Sequence, residues 1–237
     1  MSRSLFERYY TRHHKNTAVM LDTQYRMHQD ICEFPSKQFY ESKLKTGVEQ
    51  LSSLLRVNGK TMPIVFGHVE GETVRLVVKT AKGNNKSKVN HNEKENVAKI
   101  VEMLVKAGVD EMSIVVLSPY NAQVAEIREE LTKMELGGIT VTTITKSQGS
   151  EWRYVILSTV CSVPSDEIEK EPDGAWMSEH VGFVDDPHQI NVAITRAKEG
   201  LCIIGNQKLL RLSRSWRHLL DHYSLHSAVT DAEKISV

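Results

Sequence analysis

This sequence is short of cysteine, of net charge and of long apolar runs. Its three cysteines, Cys32, Cys161 and Cys202, stand far apart and show no CxxC or Cys/His ligand spacing. That pattern suggests neither a disulfide framework nor a zinc site, and it fits buried, reduced thiols. No apolar run is long enough to cross a bilayer, and the first residues hold no signal-peptide core. The expectation is an intracellular protein, of cytoplasm or nucleus, without a membrane partner. Thirty basic side chains meet thirty acidic ones, so no overall field advertises a polyanion, although a local positive groove stays open. Two further absences concern phosphate chemistry. No GxxxxGK[ST] cradle occurs, and no Asp-Glu pair closes an apolar run where it would hold magnesium.

What is present is an alternation of strand-like runs and amphipathic helical stretches. With 40% hydrophobic and 25% charged residues, 237 residues suffice for one large α/β domain with a proper core. Thr17 to Leu21 (TAVML) reads as a first strand, followed by a loop and a helix through about Tyr40. A polar passage, Glu41 to Lys60, leads to an apolar run at Pro63 to Phe66. Val74 to Val78 alternates as an antiparallel edge strand would, and Lys79 to Asn92 reads as a solvated polar loop. Glu93 to Ala107 is helical, with Val97, Ile100, Val101, Leu104 and Val105 on one face.

Ile114 to Leu117, Ile139 to Ile144, Tyr154 to Val160 and Leu201 to Gly205 read as strands, with a helix over Tyr120 to Met134. This order predicts a mostly parallel sheet covered by helices. Cys161 to Asp186 is long and acidic, an excursion or a lid-like loop. A helix from Ser215 leads to a frayed polar tail. At the start, Ser4 and Glu7 form a capping box, and a domain entered within a helix reads as part of something longer.

Three segments carry chemistry. Gln24 to His28 reads QYRMH and continues through Phe34-Pro35-Ser36 to Phe39-Tyr40; Val141 to Trp152 reads VTTITKSQGSEW; Gln189 to Gly200 reads QINVAITRAKEG. In the last, Arg196 ends a short amphipathic helix and is fixed from behind by the apolar run LCIIG. A guanidinium so held either neutralises charge on a transferring phosphoryl group or pairs with a surface carboxylate. Arg26 is a second cation of the same kind. In open parallel sheets function collects beyond the carboxyl ends of the strands, which predicts one edge bearing every motif. From there both arginines would project across a cleft at ATP held by another domain. Tyr25 offers a flat aromatic face or is a core-edge tyrosine, and Gly149 suits a turn with positive φ. Ser118-Pro119-Tyr120 opens a helix after the most apolar strand, where it either caps that helix or offers phosphate contacts.

Together and in this order, the three strings resemble the up-frameshift-like helicases of superfamily 1, and TxxKSQGSEWRYV resembles their helicase-with-zinc-finger branch. The resemblance covers nearly the whole chain and implies the second, C-terminal RecA-like motor domain: a P-loop NTPase fold without the P-loop. It implies Arg26 and Arg196 as catalytic arginine fingers, with Tyr25, Gly149 and Glu151 at the nucleotide, tyrosine on the base and glutamate at the ribose. It further implies Ser118, Pro119, Tyr120 and Thr143 lining a channel for single-stranded nucleic acid, RNA favoured over DNA. ATP and Mg2+ would both need an upstream RecA-like domain of the same polypeptide, so this chain alone would not hydrolyse ATP. Residues 1–16 would be a helical lead-in from that domain, 17–212 the motor domain and 213–237 a C-terminal helix and tail.

The chain departs from the family pattern in two places. The usual (Val/Ile)-Asp-x-(Phe/Tyr)-Gln-Gly is here Ile144-Thr145-Lys146-Ser147-Gln148-Gly149, and a usual basic pair is here His188-Gln189. These changes motivate an alternative: a non-enzymatic RNA- or protein-binding module derived from a motor. The retained Arg26, Glu151 and Arg196 speak for the motor.

Overall fold

A computed structural model describes residues 5–10, 18–49, 52–80 and 83–237. A one-turn helix α1 (Leu5–Tyr9) is followed by β1 (Thr23–Gln24), α2 (Gln29–Phe39) and β2 (Lys45–Thr46), with β1 and β2 paired in parallel. The expected Ser4–Glu7 capping box lies outside the described residues. So does Thr17, and the expected strand does not form over Ala18–Leu21: Val19 and Leu21 are 87% and 85% exposed. An apolar run reads as a buried strand, but nothing among the described residues covers this one.

Short strands β3 (Arg56–Val57) and β4 (Lys60–Thr61) lead into β5 (Ile64–His68). Next comes a two-stranded antiparallel hairpin, β6 (Val74–Thr80) with β7 (Gly83–Val89), standing apart from the main sheet. The solvated loop expected over Lys79–Asn92 is thus largely the second strand of a hairpin. Residues 81–82 at its tip lie outside the described residues.

The remaining elements are α3 (His91–Lys106), β8 (Ile114–Ser118), α4 (Asn121–Lys133), β9 (Thr140–Thr143), β10 (Trp152–Ser158) and α5 (Gly174–His180). After them come α6 (Pro187–Ile194), β11 (Ala197–Gly205), α7 (Gln207–Leu210), α8 (Arg214–Leu225), β12 (Val229–Asp231) and β13 (Ile235–Ser236). The main sheet runs in the order β12-β5-β11-β10-β8-β9, every neighbouring pair parallel. This is the α/β architecture expected, a parallel sheet flanked by helices. Its central strands are apolar throughout because both faces are covered; Val115, Val116, Val155 and Ile203 have no exposed surface. The tail expected to fray instead supplies β12 at one edge of this sheet, and β13 pairs with β3.

One expectation about position is overturned. In a parallel sheet the starts of all strands share one edge and their ends share the other. Arg196 and Glu151 immediately precede β11 and β10, and the Arg26 loop is tied there by a hydrogen bond from His28 N to Lys198 O at 2.8 Å. Ser118 and Thr143 end β8 and β9, paired in register. The motifs therefore divide between opposite edges, separated by about 20 Å of strand at some 3.3 Å per residue. The rule about carboxyl ends describes where a domain binds its own ligand, and it does not govern what the amino edge carries.

Candidate functional site

At the amino edge the loop Gln24 to His28 is shaped by its own first residue. The Gln24 carboxamide accepts from Arg26 N (2.8 Å) and Met27 N (2.7 Å), and donates to Met27 O and Thr46 Oγ1 (both 2.9 Å). Met27 is buried, and the His28 ring accepts from Asp30 N at 3.1 Å, capping α2. Gln24, Met27 and His28 thus fix the loop, while Tyr25 and Arg26 point away from it. Tyr25 is 74% exposed, which excludes the core-edge reading. Its ring lies over Gly47, where a Cβ would sit 2.5 Å from Tyr25 Cε1.

The second cation is fixed from another direction. Asp186 caps α6 by accepting from His188 N at 2.8 Å, and Pro187 occupies the first turn. At the far end Thr195 Oγ1 donates to Asn191 O (2.7 Å). Arg196 donates from Nε to Val192 O (2.9 Å), from Nη1 to Ser150 O (3.2 Å) and from Nη2 to Thr195 Oγ1 (3.0 Å). Three of its five N–H donors hold its posture; the others are left for a ligand.

Arg26 and Arg196 come together. Arg26 Nη1 donates to Thr195 O at 3.1 Å, and its Nε meets Glu151 Oε2 at 2.6 Å. The other Glu151 oxygen receives Lys198 Nζ at 2.6 Å. These two partners, Lys198 foremost, hold the Glu151 carboxyl below its usual range. Burial, with Arg26 beside it, lowers the proton affinity of Arg196, and Glu151 and Tyr40 oppose this. The result is three cations around one carboxylate, with the Glu151 oxygens, expected at a ribose, already engaged. Gly149, just ahead, has φ +89° as expected.

Sequence reasoning missed Lys198 and Gly47. Lys198 was discoverable: two positions after Arg196 in an extended chain, it falls on the same side. Nothing local marks Gly47, whose role depends on the pairing of β1 with β2.

At the carboxyl edge the expected channel residues separate into two kinds. Ser118 is wholly buried, and its Oγ accepts from Tyr120 N at 3.4 Å; its side chain serves the helix start rather than an outside ligand. Pro119, Tyr120 and Thr143 are half-buried. The Tyr120 ring lies 5.5 Å from Lys88 Nζ, and burial raises its hydroxyl well above the ordinary range. Beside it opens a cavity of 670 Å³ lined by Arg75, Lys88, Tyr120, Glu179 and Phe183 among others. Lys88 donates to Glu179 O at 2.9 Å, and Arg75 pairs with the Glu179 carboxylate.

A family model described as an AAA domain matches residues 1–208. This chain belongs to that family. It is 48% identical over 241 residues to the Mus musculus protein named 3'-5' exoribonuclease HELZ2, covering 100% of this chain and 8% of that protein. It is 34% identical to an Arabidopsis thaliana regulator of nonsense transcripts 1 homolog, over 98% of this chain and 18% of that protein. The Saccharomyces cerevisiae ATP-dependent helicase NAM7 is 32% identical, over 94% of this chain and 22% of that protein. The chain thus spans a small part of each relative, and it is a helicase-family domain of the up-frameshift-like kind.

The two departures from the family motif meet in space. Thr145 Oγ1 lies 3.5 Å from Gln189 Oε1. In this chain two neutral polar groups face each other there. Ser147, in place of the aromatic, is buried and donates to Ile144 O at 2.7 Å.

Proposed function

We propose that this chain is the C-terminal motor domain of an ATP-dependent nucleic-acid helicase, facing ATP across a cleft while gripping a single strand at its opposite edge. The observation that carries this reading is the convergence of Arg26 and Arg196, from distant segments, beside Glu151 at the amino edge. ATP with Mg2+ supplies the phosphoryl group whose transfer drives the motor. The residues here fit the anionic part of that group: two guanidiniums with uncommitted donors, one ammonium, and an exposed aromatic ring for the base. They do not fit the metal, because the carboxylate at hand, Glu151, is consumed by Arg26 and Lys198. The cradle and the magnesium ligands therefore fall to a preceding RecA-like domain of the same polypeptide.

Within this reading Glu151 parks Arg26. An incoming phosphate competes for the guanidinium, and Arg26 turns from the carboxylate to the anion while Thr195 O keeps its stem in place. Arg196, tied to three protein acceptors, acts from a fixed position. At the other edge Pro119, Tyr120 and Thr143 contact the strand, with the N-terminus of α4 behind them to favour phosphates. RNA is the favoured track, in keeping with the names of the relatives. Arg26 and Arg196 brought together beside Glu151 support a working motor over a relic retained only for binding. The exoribonuclease named in one relative is not assigned to this chain. Nuclease centres of the two-metal kind gather ligands around metals about 4 Å apart, and no such acidic group occurs among the described residues.

The test is nucleic-acid-stimulated ATP hydrolysis by the longer polypeptide, comparing Arg26→Ala and Arg196→Ala with the unaltered protein on RNA and DNA single strands. Each substitution is expected to lower kcat on the order of a thousandfold with nucleotide binding retained. Unchanged turnover in both variants sinks the reading. The isolated chain should bind a single strand and hydrolyse nothing.

A further inference from the structure

We propose that Glu33, His222 and His226 form a zinc-binding clip that pins α2 to α8. The three side chains each offer one donor atom, and these atoms lie within 4.8 Å of one another. His226 Nε2 stands 3.4 Å from Glu33 Oε2. The rings of His222, on α8, and of His226, its C-cap four residues on, have centroids 4.6 Å apart.

A second observation points to a missing partner. His222 is 8% exposed, and its Nε2 is buried without a hydrogen-bond partner. An unpaired polar atom in that position is costly, and native structures rarely leave one so.

The donor set suits zinc in kind and spacing. Two imidazoles and one carboxylate are ordinary zinc ligands, and bonds of about 2.0 to 2.2 Å in a tetrahedron put donors roughly 3.3 Å apart. The Glu33–His226 separation is already of that size, and the His222 donor lies within 4.8 Å of both. Three protein ligands on a partly exposed site leave the fourth position to water. Lys37 holds the other Glu33 oxygen at 2.6 Å, so the carboxylate would bind through one oxygen, oriented by the lysine as outer ligands commonly do.

The location gives the clip a purpose. α2 begins directly after the QYRMH loop, with His28 as its cap. Fixing Glu33 to α8 steadies the helix that carries Tyr25 and Arg26 at its head. Cysteine spacings are blind to such a site, because Glu33 comes from the early part of the chain, both histidines come from its late part, and none is a thiol.

The experiment is a titration of the metal-stripped, folded chain with Zn2+ alone against a chromophoric chelator, with circular dichroism to confirm the fold. His226→Ala and Glu33→Gln are the test variants. Cys32→Ser controls for the neighbouring thiol. One Zn2+ per chain is expected in the unaltered and Cys32→Ser proteins. Each test variant should bind at least about tenfold more weakly, since even outer-ligand losses cost ten- to a hundredfold. Zn2+ should also raise the unfolding temperature of the unaltered chain and leave that of His226→Ala unmoved. No binding by the folded unaltered chain overturns the proposal, as does binding that survives in both test variants or vanishes with Cys32→Ser.

Discussion

Replacing Glu93 by glutamine should change how the stability of this chain depends on pH. Glu93 is wholly buried behind the end of β10. Its Oε2 accepts from Ser158 Oγ (2.7 Å) and Val160 N (2.8 Å), and its Oε1 from Thr159 Oγ1 (3.3 Å). Burial outweighs these donors and raises the carboxyl from 4.5 to about 7. An acid that holds its proton more tightly when folded stabilises the fold fully below its unfolded value. That stabilisation is lost as pH rises through the folded value.

At about 1.4 kcal/mol per factor of ten, the whole interval is worth about 3 kcal/mol, and about 2 kcal/mol of it falls between pH 5.5 and 8. Glu93 is buried, so no discount for solvent screening applies. His222, lowered by burial, works in the opposite sense below about pH 6.5, so the informative quantity is the difference from Glu93→Gln. Cys161, the thiol facing Glu93, is pushed up by burial and stays neutral throughout. Glutamine suits the site: its carbonyl can take the Oε2 bonds, and its amide can donate to Thr159. Urea denaturation at about pH 5.5 and about pH 8 should show the unaltered chain losing about 2 kcal/mol more than Glu93→Gln. Parallel pH profiles for the two proteins would refute the assignment.

Two further outcomes concern the nucleotide edge. Thr145→Asp and Gln189→Arg, made singly and together, should reveal a favourable coupling of about 0.5 kcal/mol in thermal or urea unfolding, the scale of a partly exposed ion pair. Zero coupling would mean that the two positions do not touch. Gly47→Ala places a methyl against the Tyr25 ring. It should weaken nucleotide binding by the longer polypeptide by up to about tenfold, the worth of one ring contact. The methyl also meets Thr23 Cγ2 at 2.8 Å, so thermal unfolding is followed alongside; undiminished affinity in a folded variant would separate Tyr25 from the base.

The buried strands were legible because a sheet covered on both faces demands unbroken apolar runs, and Ile114–Leu117 or Leu201–Ile204 can hardly be anything else. The hairpin was not, since Gly83–Val89 is rich in Lys, Asn and Ser, residues with little liking for strands. It forms because β6 offers seven partners in register, and Ser87 Oγ accepts from Ala122 N at the head of α4. Glu93 carried a misleading signal. Asn90-x-x-Glu93 is the spacing of a capping box, and Asn90 does accept from Glu93 N at 3.0 Å. The glutamate side chain, however, turns away to hold Ser158, Thr159 and Val160, whose backbone has φ +73° at Val160. Sequence spacing shows the cap but not the longer-range partner.

The division of the motifs between two edges leaves one short segment to join them. β9 ends at Thr143 on the carboxyl side, and β10 starts at Trp152 on the amino side, so residues 144–151 traverse the sheet. The crossing is pinned along its length: Thr145 to Gln189, Ser147 to Ile144 O, and Ser150 O to Arg196 Nη1. It ends in Glu151, which holds Arg26 and Lys198. On the reading proposed above, a strand bound at Thr143 would press on this crossing, whose far end holds Arg26 through Glu151. Occupancy of the strand edge and the posture of Arg26 are then linked through eight residues of backbone.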